Sequence, residues 1–222
     1  GAHTRLRGLT AVIDFGPDTF GWTGERGIAD LLDCAGAYID YAKIYALNAL
    51  LLPREVVKRI VRLYRDGGVA PFAGGILFEY AYERGEIDGM AALLDELGLS
   101  GLEISENYIT LSEAERRQQI EWFQARGFSV IYEFGRKNPE EALSLADLGH
   151  IVTDMLERGV AHVIVEQSEI DLTARRSPDV LAELGAQPWF DRVLIEADPY
   201  RFPQQHVELI RAFGPDVNLA NV

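Results

Sequence analysis

Residues 128–135 read FSVIYEFG, residues 162–168 read HVIVEQS and residues 192–198 read RVLIEAD. Each is a short run of Val, Ile, Leu, Phe or Tyr that ends near a carboxylate: Glu133, Glu166 and Glu196. Such runs read as strands. They recur at about 30 residues, the length of one strand plus one crossover helix. Working outward, the same beat places strands near Leu9 (LTAVIDFG), Tyr38 (YIDYAKIY), Val69 (VAPFAGG), Gly101 (GLEIS) and Val217 (VNLANV).

Helical stretches fill the intervals. From Pro53 to Asp66, Val56, Val57, Ile60, Val61 and Tyr64 share one face, and Pro53 suits the first turn. A second helix runs from Ser112 to Arg126, with Ser112 and Glu115 as a capping box. Gly98, Gly127 and Gly159 follow three helices as stop signals. The stretch Leu77 to Leu97 reads as two short helices broken near Gly85. Eight strands alternating strictly with seven helices predict an α/β fold: a (β/α)8 TIM barrel, one domain over residues 1–222. The chain stops after VNLANV, so the last helix is expected to be absent. An open doubly wound sheet is the alternative, but it usually has fewer strands, and no G-x-G-x-x-G fingerprint is present.

The charge balance narrows the function. The 222 residues carry 21 Lys and Arg against 35 Asp and Glu, a net charge of −14. A phosphate backbone demands a basic face, so a nucleic-acid partner is excluded, and an anionic membrane surface is equally unsuited. No apolar run approaches the roughly 18 residues of a membrane span. The single cysteine, Cys34, excludes a disulfide framework and a Cys-based zinc site. No signal peptide is visible, which makes a cytoplasmic location the expectation. Apolar surface left by the missing helix is expected to be covered either in a homo-oligomer or by a helix that lies outside this sequence.

In this fold the site is built at the C-terminal strand ends. Those ends are Asp14, Lys43, Gly74-Gly75, Glu103 with Ser105, Glu133, Glu166, Glu196 with Asp198, and Asn218 with Asn221. Side chains alternate along a strand, so Val12 pairs in direction with Asp14, Ile131 with Glu133, Ile164 with Glu166 and Leu194 with Glu196. The pattern predicts a ring of carboxylates around one mouth. Such a ring can hold Mg2+ through oxygen ligands, with Asp14, Glu133, Glu166 and Glu196 as candidates. It can also fix a cation from the chain: Lys43, Arg136 or Lys137. The competing reading is a structural ion-pair layer. Lys43, between Ala42 and Ile44, suits a desolvated acid or base, a Schiff-base amine or an anion anchor; the structural alternative pairs it with Glu196 or Asp14. Gly74-Gly75 before a helix lets backbone N–H groups approach an anion. Arg116-Arg117 reads as a solvated helix face, and the four histidines show no ligand spacing.

In order, GLTAVIDFG, YIDYAK, GGILFEYAYERG, LGLSGLEIS, GFSVIYEFGRK, VIVEQSE, IEADPYRFPQQ and FGPDVNLANV resemble the phosphosulfolactate synthases from about Gly8 to Val222. The resemblance implies a (β/α)8 barrel lyase that joins sulfite to phosphoenolpyruvate with Mg2+, on the route to coenzyme M. It implies an enolate-type mechanism in which Lys43 or Lys137 protonates carbon. Glu103, Glu133, Glu166 or Glu196 would bind the metal or orient the lysine. Gly74, Gly75, Ser105, Arg136, Asn218 and Asn221 are the expected substrate contacts, and the substrate is a small anionic carboxylate. The chain departs from the family pattern after four strands. Ile44-Tyr45-Ala46-Leu47-Asn48-Ala49 replaces a Gly, Thr and Ser-rich stretch suited to phosphate. Glu166-Gln167-Ser168-Glu169-Ile170 replaces EGRES, Glu106-Asn107 replaces Asp and Gly, and Glu196-Ala197-Asp198 replaces EAP. Two alternatives follow: a diverged enzyme with another carboxylate substrate or nucleophile, and a non-catalytic, stress-related relative. A mouth plugged by Tyr45, Leu47 or Tyr108 would favour the non-catalytic relative or a smaller, less charged substrate.

Overall fold

A computed structural model describes residues 5–16 and 24–222. Its strands are β1 (Thr10–Asp14), β2 (Tyr41–Ile44), β3 (Ala70–Ala73), β4 (Gly101–Ile104), β5 (Ser129–Phe134), β6 (Val163–Val165), β7 (Val193–Glu196) and β8 (Leu219–Ala220). They pair in sequence order, all parallel, and β8 pairs back onto β1 to close the barrel. Each expected strand is present within a few residues of its sequence position.

The helices are α1 (Glu25–Ala35), α2 (Asn48–Leu51), α3 (Arg54–Asp66), α4 (Gly75–Glu83), α5 (Ile87–Leu97), α6 (Glu113–Gln124), α7 (Leu145–Glu157), α8 (Gln167–Arg176), α9 (Pro178–Gly185) and α10 (Gln204–Phe213). The Ser112–Glu115 capping box forms on α6, and Gly98, Gly127 and Gly159 take positive φ. Strict one-helix alternation does not hold. The break between α4 and α5 at Gly85 was legible, whereas α2 and α9 were not. Pro178 ends α8, because the residue before a proline is driven out of the α region, and then opens α9 at its own first turn.

Two apolar regions divide the packing. The larger lies between barrel and helices and includes Ile28, Tyr64, Phe78, Leu94, Phe123, Leu148 and Met155. The smaller fills the barrel with Ala11, Phe72, Ile131, Ile164, Leu194 and Ala220, against which Tyr41 packs. Two residues further along a strand restores the inward direction one level higher. From Tyr41, Ile131, Ile164 and Leu194 that step lands on Lys43, Glu133, Glu166 and Glu196. The apolar plug thus supports a charged layer at the C-terminal mouth.

Candidate active site

Lys43 lies at the centre of that layer, 5% exposed. Its Nζ is 2.8 Å from Glu103 Oε2, 3.5 Å from Glu133 Oε2 and 3.5 Å from Glu196 Oε2. Burial alone would lower the ammonium, but the three carboxylates outweigh it and hold Lys43 above its ordinary range. Lys137, on the loop after β5, keeps a third of its side chain exposed. It donates to Glu166 Oε1 at 2.8 Å and stands 3.6 Å from Glu196 Oε1. Burial is again outweighed, here by Glu196, Glu133 and Glu166, so Lys137 too is held protonated. Four carboxylates therefore face two ammonium groups, a formal excess of two negative charges.

The carboxylates respond differently. Burial and the Glu133 charge push Glu196 well above the usual carboxylate range, and the same two causes raise Glu103. Burial would raise Glu133 as well, but Lys43, Lys137 and hydrogen bonds from Glu196 and Asn107 leave it low. Glu196 Oε2 is buried and accepts no well-directed hydrogen bond. Glu133 and Glu196 share a hydrogen bond, and Glu196 Oε2 has only the Lys43 ammonium near it, at 3.5 Å; the two carboxyls could offer oxygens to a hard cation that takes its remaining ligands from water and substrate. They do not make a protein cage: among the described residues, no three His, Cys, Asp or Glu side chains could together hold a metal.

Several expected contacts are placed elsewhere. Asp14 shares its face with Val12, and that face points outward to the helix layer. There it accepts from Tyr64 Oη at 2.8 Å and Gly16 N at 2.9 Å, so it lies apart from the ring. Asn218 precedes β8 at the opposite end of the barrel. It accepts from Leu9 N and donates to the carbonyls of Asp191 and Val193, a structural tie. Asn221 follows β8 at the mouth, with φ of 57° and a buried Oδ1 lacking a hydrogen-bond partner. The Gly75 N–H donates to Glu103 Oε1 at 2.8 Å, so the start of α4 holds a carboxylate of the protein. Gly74 N donates to Ile44 O. Ser105 Oγ donates to Glu79 of α4. Arg136 is exposed and donates to Thr110 Oγ1 at 2.6 Å.

Arg116 and Arg117 are not a solvated face. Arg116 pairs with the buried Glu106 at 2.7 Å, and Arg117 grips Asp154. Sequence reading also missed Asn107 and Glu79. Asn107 Nδ2 donates to Glu133 Oε1 at 2.6 Å. No spacing rule marks either residue, because both act across loop and helix rather than along a strand. At the rim, Phe15 stands 4.8 Å from Tyr45 and 5.9 Å from Tyr200, ring centre to ring centre. Tyr45 is 41% and Tyr108 69% exposed, and Leu47 packs on the outer core, so none of the three is folded down as a plug.

Fold and site define a (β/α)8 barrel whose chemistry-bearing lysines and carboxylates meet at the C-terminal mouth, the design of an enzyme for a small substrate. Residues 2–222 match the family model described as (2R)-phospho-3-sulfolactate synthase (ComA). The chain belongs to the phosphosulfolactate synthase family, a family of lyases. The phosphosulfolactate synthase of Methanocaldococcus jannaschii is 33% identical over 97% of this chain and 86% of that protein. The one from Methanothermobacter thermautotrophicus is 31% identical over 98% and 84%. Among solved structures, a phosphonopyruvate hydrolase in complex with oxalate and Mg2+ superposes with a TM-score of 0.56 at 14% identity, over 96% of this chain and 74% of that one. An HpcH/HpaI aldolase from Desulfitobacterium hafniense gives 0.53 at 12% identity, over 97% and 86%. At such identities the likeness is one of fold.

Proposed function

We propose that the mouth joins sulfite to phosphoenolpyruvate. The sulfur lone pair forms a bond to the methylene carbon, and the C=C pair moves onto the carboxylate as an aci-carboxylate. Lys137 then gives a proton to the carbon beside it and recovers one from solvent. The observation that carries this reading is the position of Lys137: held protonated by three carboxylates, yet a third exposed at the mouth. Lys43 lies below it, enclosed by carboxylates, and serves to fix Glu103, Glu133 and Glu196. Glu133 and Glu196 would hold Mg2+, which when bound supplies positive charge against the developing carboxylate charge.

The test is ³¹P NMR of protein mixed with phosphoenolpyruvate, sulfite and Mg2+. A new phosphate-ester resonance that needs both sulfite and Mg2+ is expected. Its absence in folded protein overturns the reading. The rim of Phe15, Tyr45 and Tyr200, with Tyr45 in the stretch where the family pattern is rich in Gly, Thr and Ser, favours a second reading: an enoate with an apolar group in place of the phosphate. Consumption of such an enoate with sulfite, without turnover of phosphoenolpyruvate, would establish it.

A further inference from the structure

Glu79 is a buried carboxylate, 4% exposed, and it makes no ion pair among the described residues. An unpaired buried charge is costly unless hydrogen bonds replace its water. Four donors do so here. Ser105 Oγ and Asn107 N, the latter at 2.9 Å, donate to Oε1; Tyr108 N at 2.9 Å and Ile109 N at 3.3 Å donate to Oε2. The loop after β4 is therefore wrapped around a carboxylate of α4. The side chain this wrapping presents to the mouth is Asn107, whose Nδ2 donates to Glu133 Oε1 at 2.6 Å and to Gly135 O at 3.3 Å. One turn earlier on α4, the Gly75 N–H holds Glu103. A single helix thus sets two members of the charged layer, one directly and one through the loop.

We propose that Glu79 is a positioning residue for the reaction proposed above: it templates residues 105–109 so that Asn107 fixes Glu133 between Lys43 and Lys137. The contact set makes the role specific. Asn107 holds one oxygen of Glu133 and leaves the other 3.5 Å from Lys43, so Lys43 sits closer to Glu103. Without that hold, Glu133 is free to turn toward Lys43 and the layer rearranges. An amide at position 79 cannot fully replace the carboxylate: turned one way its NH2 faces the Tyr108 and Ile109 N–H groups, and turned the other way it faces the Asn107 N–H, so at least one backbone donor loses its acceptor even if the Ser105 hydroxyl turns to accept.

The experiment is a double-mutant cycle of Glu79→Gln and Asn107→Ala, read as kcat and KM in the ³¹P assay and as the Asn107 side-chain amide signal in the NMR spectrum. Glu79→Gln is expected to lower kcat by about tenfold or more while KM stays within about threefold, since displacements of an ångström or less carry costs of this order. In the Asn107→Ala background the same change should cost less than about twofold, because its route of action is already removed. The Asn107 amide signal should move in Glu79→Gln. An equal cost in both backgrounds, or an unmoved amide signal, overturns the proposal. The amide signal does not depend on turnover, so an inactive wild type would refute the reaction and leave this contact separately testable. If Glu79→Gln does not fold, Asn107→Asp keeps the backbone donors to Glu79 and puts a carboxylate against Glu133. It should lose at least tenfold in kcat with its fold intact, and wild-type turnover would overturn the proposal.

Discussion

Replacing Lys43 by Met tests how the charged layer is held. Met keeps most of the side-chain volume, so the change removes charge without opening a cavity. Three carboxylates within 3.5 Å then lose their shared cation. Lys137 remains close to Glu166 and Glu196 only. Removing one partner of a buried ion pair costs about 3–5 kcal/mol. For a domain of this size, each kcal/mol moves the melting temperature by about 2–4 °C, so a fall of about 6–20 °C is expected. The pH dependence fixes the cause. Burial and the Glu133 charge already raise Glu103 and Glu196, and losing Lys43 raises them further. A carboxyl whose folded pKa exceeds its unfolded one destabilises the fold above that folded pKa, and the loss is relieved as pH falls through it. Melting followed by circular dichroism at pH 7.5 and pH 5 should therefore show the gap to wild type narrowing on acidification. A wild-type melting temperature at pH 7.5, or a gap that does not change with pH, would refute the charge argument.

Three further outcomes follow from the same geometry. Tyr64→Phe removes the hydroxyl that donates to buried Asp14 and should cost about 1–3 kcal/mol in urea unfolding while leaving turnover unchanged. A loss of activity without a loss of stability would return Asp14 to the site. Asn218→Ala breaks three hydrogen bonds at the far end of the barrel and should cost about 2 kcal/mol or more, with KM unaffected. A raised KM would contradict its structural assignment. Burial and then the Arg192 charge lower His162 to about 4, so its ring signal in ¹H NMR should titrate near pH 4 rather than near the ordinary 6.5. With the folded value below the unfolded one, the contribution of His162 to stability declines as pH falls from about 6.5 toward 4. A midpoint at 6.5 would refute its burial.

The barrel was legible because its signal is repeated: eight apolar runs, the first seven each followed by a helical stretch, leave little else for the chain to form. The charged layer was legible for a related reason. On β5, β6 and β7, Ile131, Ile164 and Leu194 point into the barrel, and the carboxylates two residues on must follow. Asp14 shows where that logic runs out. Alternation says that Val12 and Asp14 share a face, but not which face is inward; the barrel register puts Ala11 inside, and so sends Asp14 out. Asn218 fails for a different reason, since β8 spans only Leu219–Ala220 and the residue falls before the strand instead of after it. Glu79 and Asn107 were illegible because their partners come from other elements, fixed by the folded loop alone. The Gly75 amide, expected to face an anionic ligand, donates instead to the Glu103 carboxyl of the protein itself, a partner that the Gly-Gly pair does not reveal.

The claim that most needs testing is that Lys137 delivers the proton. The measurement is the initial rate of phosphate-ester formation by Lys137→Met, made in protein that melts within a few degrees of wild type and binds phosphoenolpyruvate with a similar Kd. General-acid transfer contributes about 10²–10⁴-fold, so a rate at least 100-fold below wild type is predicted. A rate within tenfold of wild type would contradict the account and leave Lys137 as part of an ion-pair layer.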